Sequence, residues 1–208
     1  MAANIMEKDP FNLIITGVGG QGNVMASRVL GNMMVREGFR VTIGETFGAS
    51  QRGGSVMSHL RISREGNWSP QIPQGQADFI IALEPSEAIR LLATYGNDQI
   101  RILSNTRPIH SVDVIAGDAK YPDIEEIKSS IEELAADAWF IAATEEAMKM
   151  GNPIYGNIII LGALAGTGAL PMDRENFKAV AGESLAEDRL DANIKAYDLG
   201  TELVMSGN

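Results

Sequence analysis

The stretch Ile14-Ile15-Thr16-Gly17-Val18-Gly19-Gly20-Gln21-Gly22 runs an apolar strand straight into a glycine-rich turn. Four of the six residues from Gly17 to Gly22 are glycine, so the backbone can bend tightly and come close to a bound group, an approach that side chains would block. Beyond the turn, Met25, Ala26, Val29, Leu30, Met33 and Met34 recur at helical spacing, which predicts a helix with an apolar stripe. A helix N-terminus presents unpaired N–H groups and a positive partial charge, a setting for phosphate or carboxylate. Gly17, Gly19 and Gly22 fit the spacing G-x-G-x-x-G in the strand–turn–helix context that this motif requires. The chain therefore starts as a strand–turn–helix unit with an anion-binding candidate at its turn.

The rest of the sequence extends this unit into an α/β domain. At 208 residues, 45% of them apolar, the chain is long enough for a substantial core, here assigned to one domain over residues 10–204 with residues 1–9 as a flexible N-terminus. Leu13–Thr16 reads as the first strand, Gly22–Glu37 as the first helix closed by Gly38, and Arg40–Ile43 as the second strand. Gly44–Ser55 reads as irregular. Val56–Ile62 alternates as a half-exposed strand does, and Phe79–Leu83 is a continuous apolar run typical of a central parallel strand. Pro85 opens a helix that continues through Ala88, Leu91 and Leu92 to Gly96. Ile100–Leu103 is a further strand, and Ile124, Ile127, Ile131 and Leu134 mark an amphipathic helix. Trp139–Ala142 reads as a short strand running into a helix capped by Thr144, Tyr155–Gly168 as a buried helix, and Asp173–Val204 as two or three more. Strands alternating with helices predict a three-layer α/β/α sandwich around a largely parallel sheet, Rossmann-like, with C-terminal helices. In such sheets ligands sit at the carboxyl ends of the strands, where the glycine turn lies.

Composition narrows the chemistry. Cysteine is absent, so the chain offers no disulfide, thiolate nucleophile or cysteine-ligated cluster. His59 and His110, the two histidines, lack ligand-like spacing, which argues against a structural metal site. The start, Met1–Pro10, has no basic-then-apolar pattern, and the apolar run Ile158–Leu170 is too short to span a bilayer. These features predict a cytoplasmic protein with no membrane partner. Residues 1–110 hold 10 of the 17 Lys and Arg and 9 of the 27 Asp and Glu, a net of +1, which leaves −11 on the remainder. The overall charge of −10 repels nucleic acid, while the near-neutral half with the glycine motif tolerates an anion.

A second candidate is Ala49-Ser50-Gln51-Arg52-Gly53-Gly54-Ser55, where adjacent glycines expose N–H groups beside a guanidinium fork. Gly17, Gly19, Gly20, Gln21, Gly22, Gln51, Arg52, Gly53 and Gly54 are the binding candidates; no residue is assigned as catalytic or as a metal ligand. A dinucleotide site wants an acidic residue at the end of the second strand. Glu45 is the nearest, and it comes late, beyond Gly44. Arg61, Arg64, Arg90, Arg101 and Arg107 read as solvated or ion-paired, His59 as packed with Met57, and Trp68 and Trp139 as core or interface.

The ordered set is more specific than either motif. Gly17–Gly22, Glu45-Thr46, Gln51–Val56 leading to Arg61-Ile62-Ser63, Ser69–Ile72, Gly75–Asp78, Ala82–Pro85 with Glu87-Ala88, and Asn157 with Gly162-Ala163-Leu164 together resemble the gamma-type domain of 2-oxoacid:ferredoxin oxidoreductases, and within that family its indolepyruvate branch. The resemblance spans residues 10 to 200. It implies a thiamine-diphosphate system in which a 2-oxoacid is oxidatively decarboxylated, electrons pass through iron–sulfur clusters to ferredoxin, and coenzyme A takes the acyl group. Gly117-Asp118-Ala119 lacks the rest of a thiamine-binding segment, so the resemblance assigns thiamine diphosphate, Mg and the clusters to a larger partner subunit. This chain then completes the active site or the coenzyme A path and is inactive alone. A homodimer also stays open, as do two other readings of the same turn: a stand-alone NAD(P)-dependent oxidoreductase and a nucleotide-sensing domain.

Overall fold

The computed structural model describes residues 8–47, 54–184 and 187–206. Six strands form one sheet: β1 (Phe11–Val18), β2 (Arg40–Phe47), β3 (Ser55–Ser63), β4 (Phe79–Ala82), β5 (Arg101–Asn105) and β6 (Asp137–Ile141). Their order is β2-β3-β1-β4-β5-β6. The β1/β4, β4/β5 and β5/β6 pairs are parallel, whereas β3 runs antiparallel to both β1 and β2. The expected three-layer, largely parallel architecture holds, with one reversed strand inserted beside β1.

Alternation along the strands sends side chains to two cores. Leu13, Ile15, Leu60, Ile62, Phe79, Ile81 and Leu103 join one core with α1 (Asn23–Arg36) and the C-terminal helices α6 (Gly156–Gly166), α7 (Arg174–Ser184) and α8 (Glu187–Ser206). Ile14, Ile80, Ala82 and Ile102 face the other, against α2 (Pro85–Tyr95) and α4 (Ile124–Leu134). The mostly apolar α6 is buried along its length because α8 covers the side turned from the sheet. That closeness needs glycine: a Cβ on Gly162 would overlap the Tyr197 carbonyl, and one on Gly200 the Ile159 carbonyl.

Three local expectations are corrected. The second strand does not end at Ile43 but continues to Phe47, paired residue by residue with β3, so only part of Gly44–Ser55 is irregular. The third strand is buried on both faces, not half-exposed. The connection 67–76 folds back across it, with Pro70 against Gly44 and the Ile72 N–H donating to His59 Nδ1 at 3.3 Å. Thr144 lies inside α5 (Ala143–Lys149) and does not cap it. A short helix, α3 (Val112–Ala116), was not expected; it buries none of its residues. Trp68 is exposed under the Arg61 guanidinium, while Trp139 stacks on Phe79.

Candidate functional site

At the carboxyl ends of β1, β4 and β5 a cleft of about 490 Å3 opens. Its walls include the turn Gly20, Gln21 and Gly22; Asn105 at the end of β5 and Arg107 beyond it; Thr144 at the start of α5; and Asn157 at the start of α6. The turn is built by its own side chain. Gln21 Oε1 accepts from the Val18 N–H at 2.7 Å, and Gln21 Nε2 donates to the Leu83 carbonyl at 2.8 Å, tying the end of β1 to that of β4. Gly17 leaves room for this, since a Cβ there would press on Gln21 Oε1 at 2.6 Å. Gly22 has φ of 86° and abuts the Asn157 amide, so both its conformation and its surroundings exclude a side chain.

The two glycine segments meet. The Gly19 N–H donates to the Gly54 carbonyl at 2.8 Å. Gly20, Gln21 and Gly22 line the cleft, whereas Gly17, Gly19 and Gly54 shape it from behind. Gln51, Arg52 and Gly53 lie outside the described residues. The N–H groups of Val18, Gly19 and Gln21 are engaged, while those of Gly20, Gly22 and Asn23 find no acceptor among the described residues. Of these, Gly20 and Gly22 line the cleft, so their N–H groups and the α1 dipole leave a donor-rich corner there.

Arg107 is the one charged residue lining the cleft among the described residues. It pairs with Glu145 at 3.2 Å in a solvent-exposed contact. Asn105 is buried, donating to the Leu83 carbonyl at 3.1 Å and to Thr144 Oγ1 at 3.0 Å. Asn157 is 8% exposed, and its side-chain amide has no hydrogen-bond partner among the described residues. Sequence reasoning had not assigned Asn105, Arg107, Thr144 or Asn157 to the site. Their placement at strand ends and helix starts is the signal, since that edge is where such sheets bind. Among the described residues, nothing lining the cleft is a nucleophile paired with a base, so it suits holding an anion more than breaking a bond.

The dinucleotide geometry is absent. β3 lies between β1 and β2, so Glu45 stands about two strand spacings, ~10 Å, from β1 instead of one. It pairs with Ser58 inside the β2/β3 ladder. His59 is buried and edge-on to Tyr95, as a packing histidine, and burial lowers its pKa below the ordinary 6.5. Arg90 is ion-paired to Glu87.

Fold and cleft together define an α/β domain of the ligand-edge type whose described residues bring donors, and no catalytic pair, to the cleft. The chain belongs to the pyruvate ferredoxin/flavodoxin oxidoreductase family, which matches residues 12–203. Indolepyruvate oxidoreductase subunit IorB of Pyrococcus horikoshii is 39% identical over 194 residues, 92% of this chain and 95% of its own. The IorB subunit of Archaeoglobus fulgidus is 36% identical over 94% of this chain and 96% of its own. Among solved structures, pyruvate oxidoreductase subunit PORC of Thermotoga maritima superposes with a TM-score of 0.69 at 21% identity, covering 94% of this chain and 97% of its own. The 2-oxoglutarate:ferredoxin oxidoreductase of Magnetococcus marinus, with 2-oxoglutarate, coenzyme A and succinyl-CoA bound, gives 0.70 at 20% identity; the match covers 96% of this chain and 32% of that one. These structures share the fold.

Proposed function

We propose that this chain is the small subunit of a 2-oxoacid:ferredoxin oxidoreductase that acts on indolepyruvate or a related aryl pyruvate in the cytoplasm. The larger partner subunit supplies the decarboxylation and electron-transfer chemistry, through thiamine diphosphate with Mg and through iron–sulfur clusters. Ferredoxin takes the electrons and coenzyme A the acyl group.

The residues of this chain do not fit the resident cofactors. No cysteine is present to hold a cluster, and Gly117 of the Gly-Asp-Ala segment is an exposed helix C-cap with φ of 87°. What they do fit is an anionic co-substrate. The open N–H groups of Gly20 and Gly22, with Arg107 also lining the cleft, can hold phosphate or carboxylate oxygens, and Asn157 can hydrogen-bond a neutral part of the same ligand. The observation that carries this reading is the cleft itself, rich in donors and, among the described residues, without a nucleophile–base pair, in a chain 39% identical to an indolepyruvate oxidoreductase subunit. In this assignment Gln51, Arg52, Gly53 and Gly54 act on the same ligand as the turn, to which the Gly54 carbonyl is tied by the Gly19 N–H.

The test is co-expression with the larger subunit and purification without air. The pair should co-purify and reduce ferredoxin in a reaction that requires both indolepyruvate and coenzyme A, and the isolated chain should be inactive. A complex that fails to assemble, or one that turns over pyruvate and 2-oxoglutarate faster than aryl pyruvates, overturns the assignment.

A further inference from the structure

The geometry points to Glu84 and Glu87, both in or beside the first turn of α2, as positioning residues that fix the two walls of the cleft. This inference rests on the functional reading above for its kinetic consequence, though not for its structural one.

Glu84 is fully buried with no cation within ion-pairing distance among the described residues. One carboxylate oxygen caps α2, accepting from the Glu87 N–H at 3.1 Å and the Ser86 hydroxyl at 2.5 Å. A cap needs no more than that, and a shorter Ser or Asp provides it. The other oxygen reaches across the fold to accept from the Ile109 N–H at 3.3 Å and the Tyr121 hydroxyl at 2.5 Å. It thereby anchors the segment carrying Arg107 and Ile109 into the cleft wall. Burying a carboxylate is costly unless its oxygens are hydrogen-bonded, and here four donors and the α2 dipole offset that cost.

Glu87 does the same for the opposite wall. Its Oε2 accepts from the Thr16 hydroxyl at 3.2 Å, the Ser55 hydroxyl at 2.5 Å, and Arg90 Nε and Nη2 at 3.0 and 2.6 Å. Arg90 Nη2 donates to Ser55 Oγ as well. Thr16 directly precedes Gly17 at the head of the glycine turn, and Ser55 follows Gly54, whose carbonyl holds the Gly19 N–H. One carboxylate therefore locks the start of the turn to the segment packed against it. The two glutamates lie three residues apart, so a single helical turn sets both walls.

Hydrogen exchange on the full chain tests this directly. Glu87→Gln should raise exchange about tenfold in the peptide containing residues 17–22 and leave residues 107–111 and α8 unchanged; Glu84→Gln should do the reverse. Glu132→Gln, on the exposed face of α4, is the control. Where a glutamine variant fails to fold, Ser55→Ala and Tyr121→Phe remove one donor each and should give the same regional pattern at smaller amplitude. A uniform rise across the chain, or no change in either segment, overturns the positioning role. In the assembled complex, either glutamine variant should raise KM for coenzyme A about tenfold while kcat stays within about twofold. Regional exchange without any KM effect leaves the positioning intact and sinks the coenzyme A reading instead.

Discussion

The α6/α8 seam and the cleft edge both depend on glycine, for opposite reasons. At the seam, Gly162 and Gly200 let two backbones touch, and added atoms have nowhere to go. At the cleft, Gly20 has nothing within 4 Å of where a Cβ would stand, and its φ of 101° is what requires glycine. Gly22 combines both demands. One region uses the missing side chain to close space and the other to keep donors accessible, so substitution should damage stability in the first and ligand handling in the second.

The strongest way to break this contrast is Gly162→Ala. Its methyl group meets main chain, which cannot rotate away as a side chain can, so a loss of about 3 kcal/mol or more is expected, read as a fall in the denaturant midpoint with unchanged slope. Gly200→Ala should match it. Gly22→Ala should cost less, about 2 kcal/mol, because the obstructing Asn157 amide can swing aside while the positive φ remains strained. If Gly22→Ala were the more damaging of the two, the seam would not be the tighter region.

These differences were partly legible in the sequence. The α1, α2 and α4 helices announce themselves through apolar spacing and through caps or Pro85, and β4 through its unbroken apolar run. The glycine turn was found with its helix. The fate of Gln21 was not, because its amide is satisfied by a carbonyl 62 residues away, a distance that no local pattern encodes. Burial of β3 escaped for a similar reason: the segment 67–76 that covers it has no periodicity of its own. The five-residue α3 buries nothing and so leaves no hydrophobic signature. Arg107 and Asn157 each read as unremarkable alone, and only the crossing order of the strands brings them to one cleft.

The closed interior should reject a proton as it rejects a methyl group. His59 Nδ1 already accepts from the Ile72 N–H, and Nε2 finds no acceptor among the described residues, so an imidazolium there is unsatisfied. Burial holds its pKa below 6.5, so between pH 6.5 and that lowered value the unfolded chain binds a proton that the native chain does not. The stabilisation is fully present above pH 6.5 and is lost as pH falls below it, by at most about 1.4 kcal/mol per pH unit. His59→Gln should flatten that part of the stability–pH curve, measured by urea unfolding from pH 7.5 to 5. An unchanged slope would mean that the site admits charge after all.

At the open edge the smallest stability effect should accompany a clear functional one. Arg107 is exposed and its pair with Glu145 is screened by solvent, so Arg107→Ala should change stability by no more than about 0.5 kcal/mol. Its guanidinium is nonetheless the one charge lining the cleft with the open N–H groups of Gly20 and Gly22 among the described residues. Removing it should raise KM for coenzyme A about tenfold, the scale of one lost charged hydrogen bond, with the oxoacid KM unaffected. Arg107→Lys should recover part of the loss, because a point charge replaces attraction but not the planar fork. A variant as active as the parent would separate the donor corner from ligand binding and leave the turn a packing device like the seam.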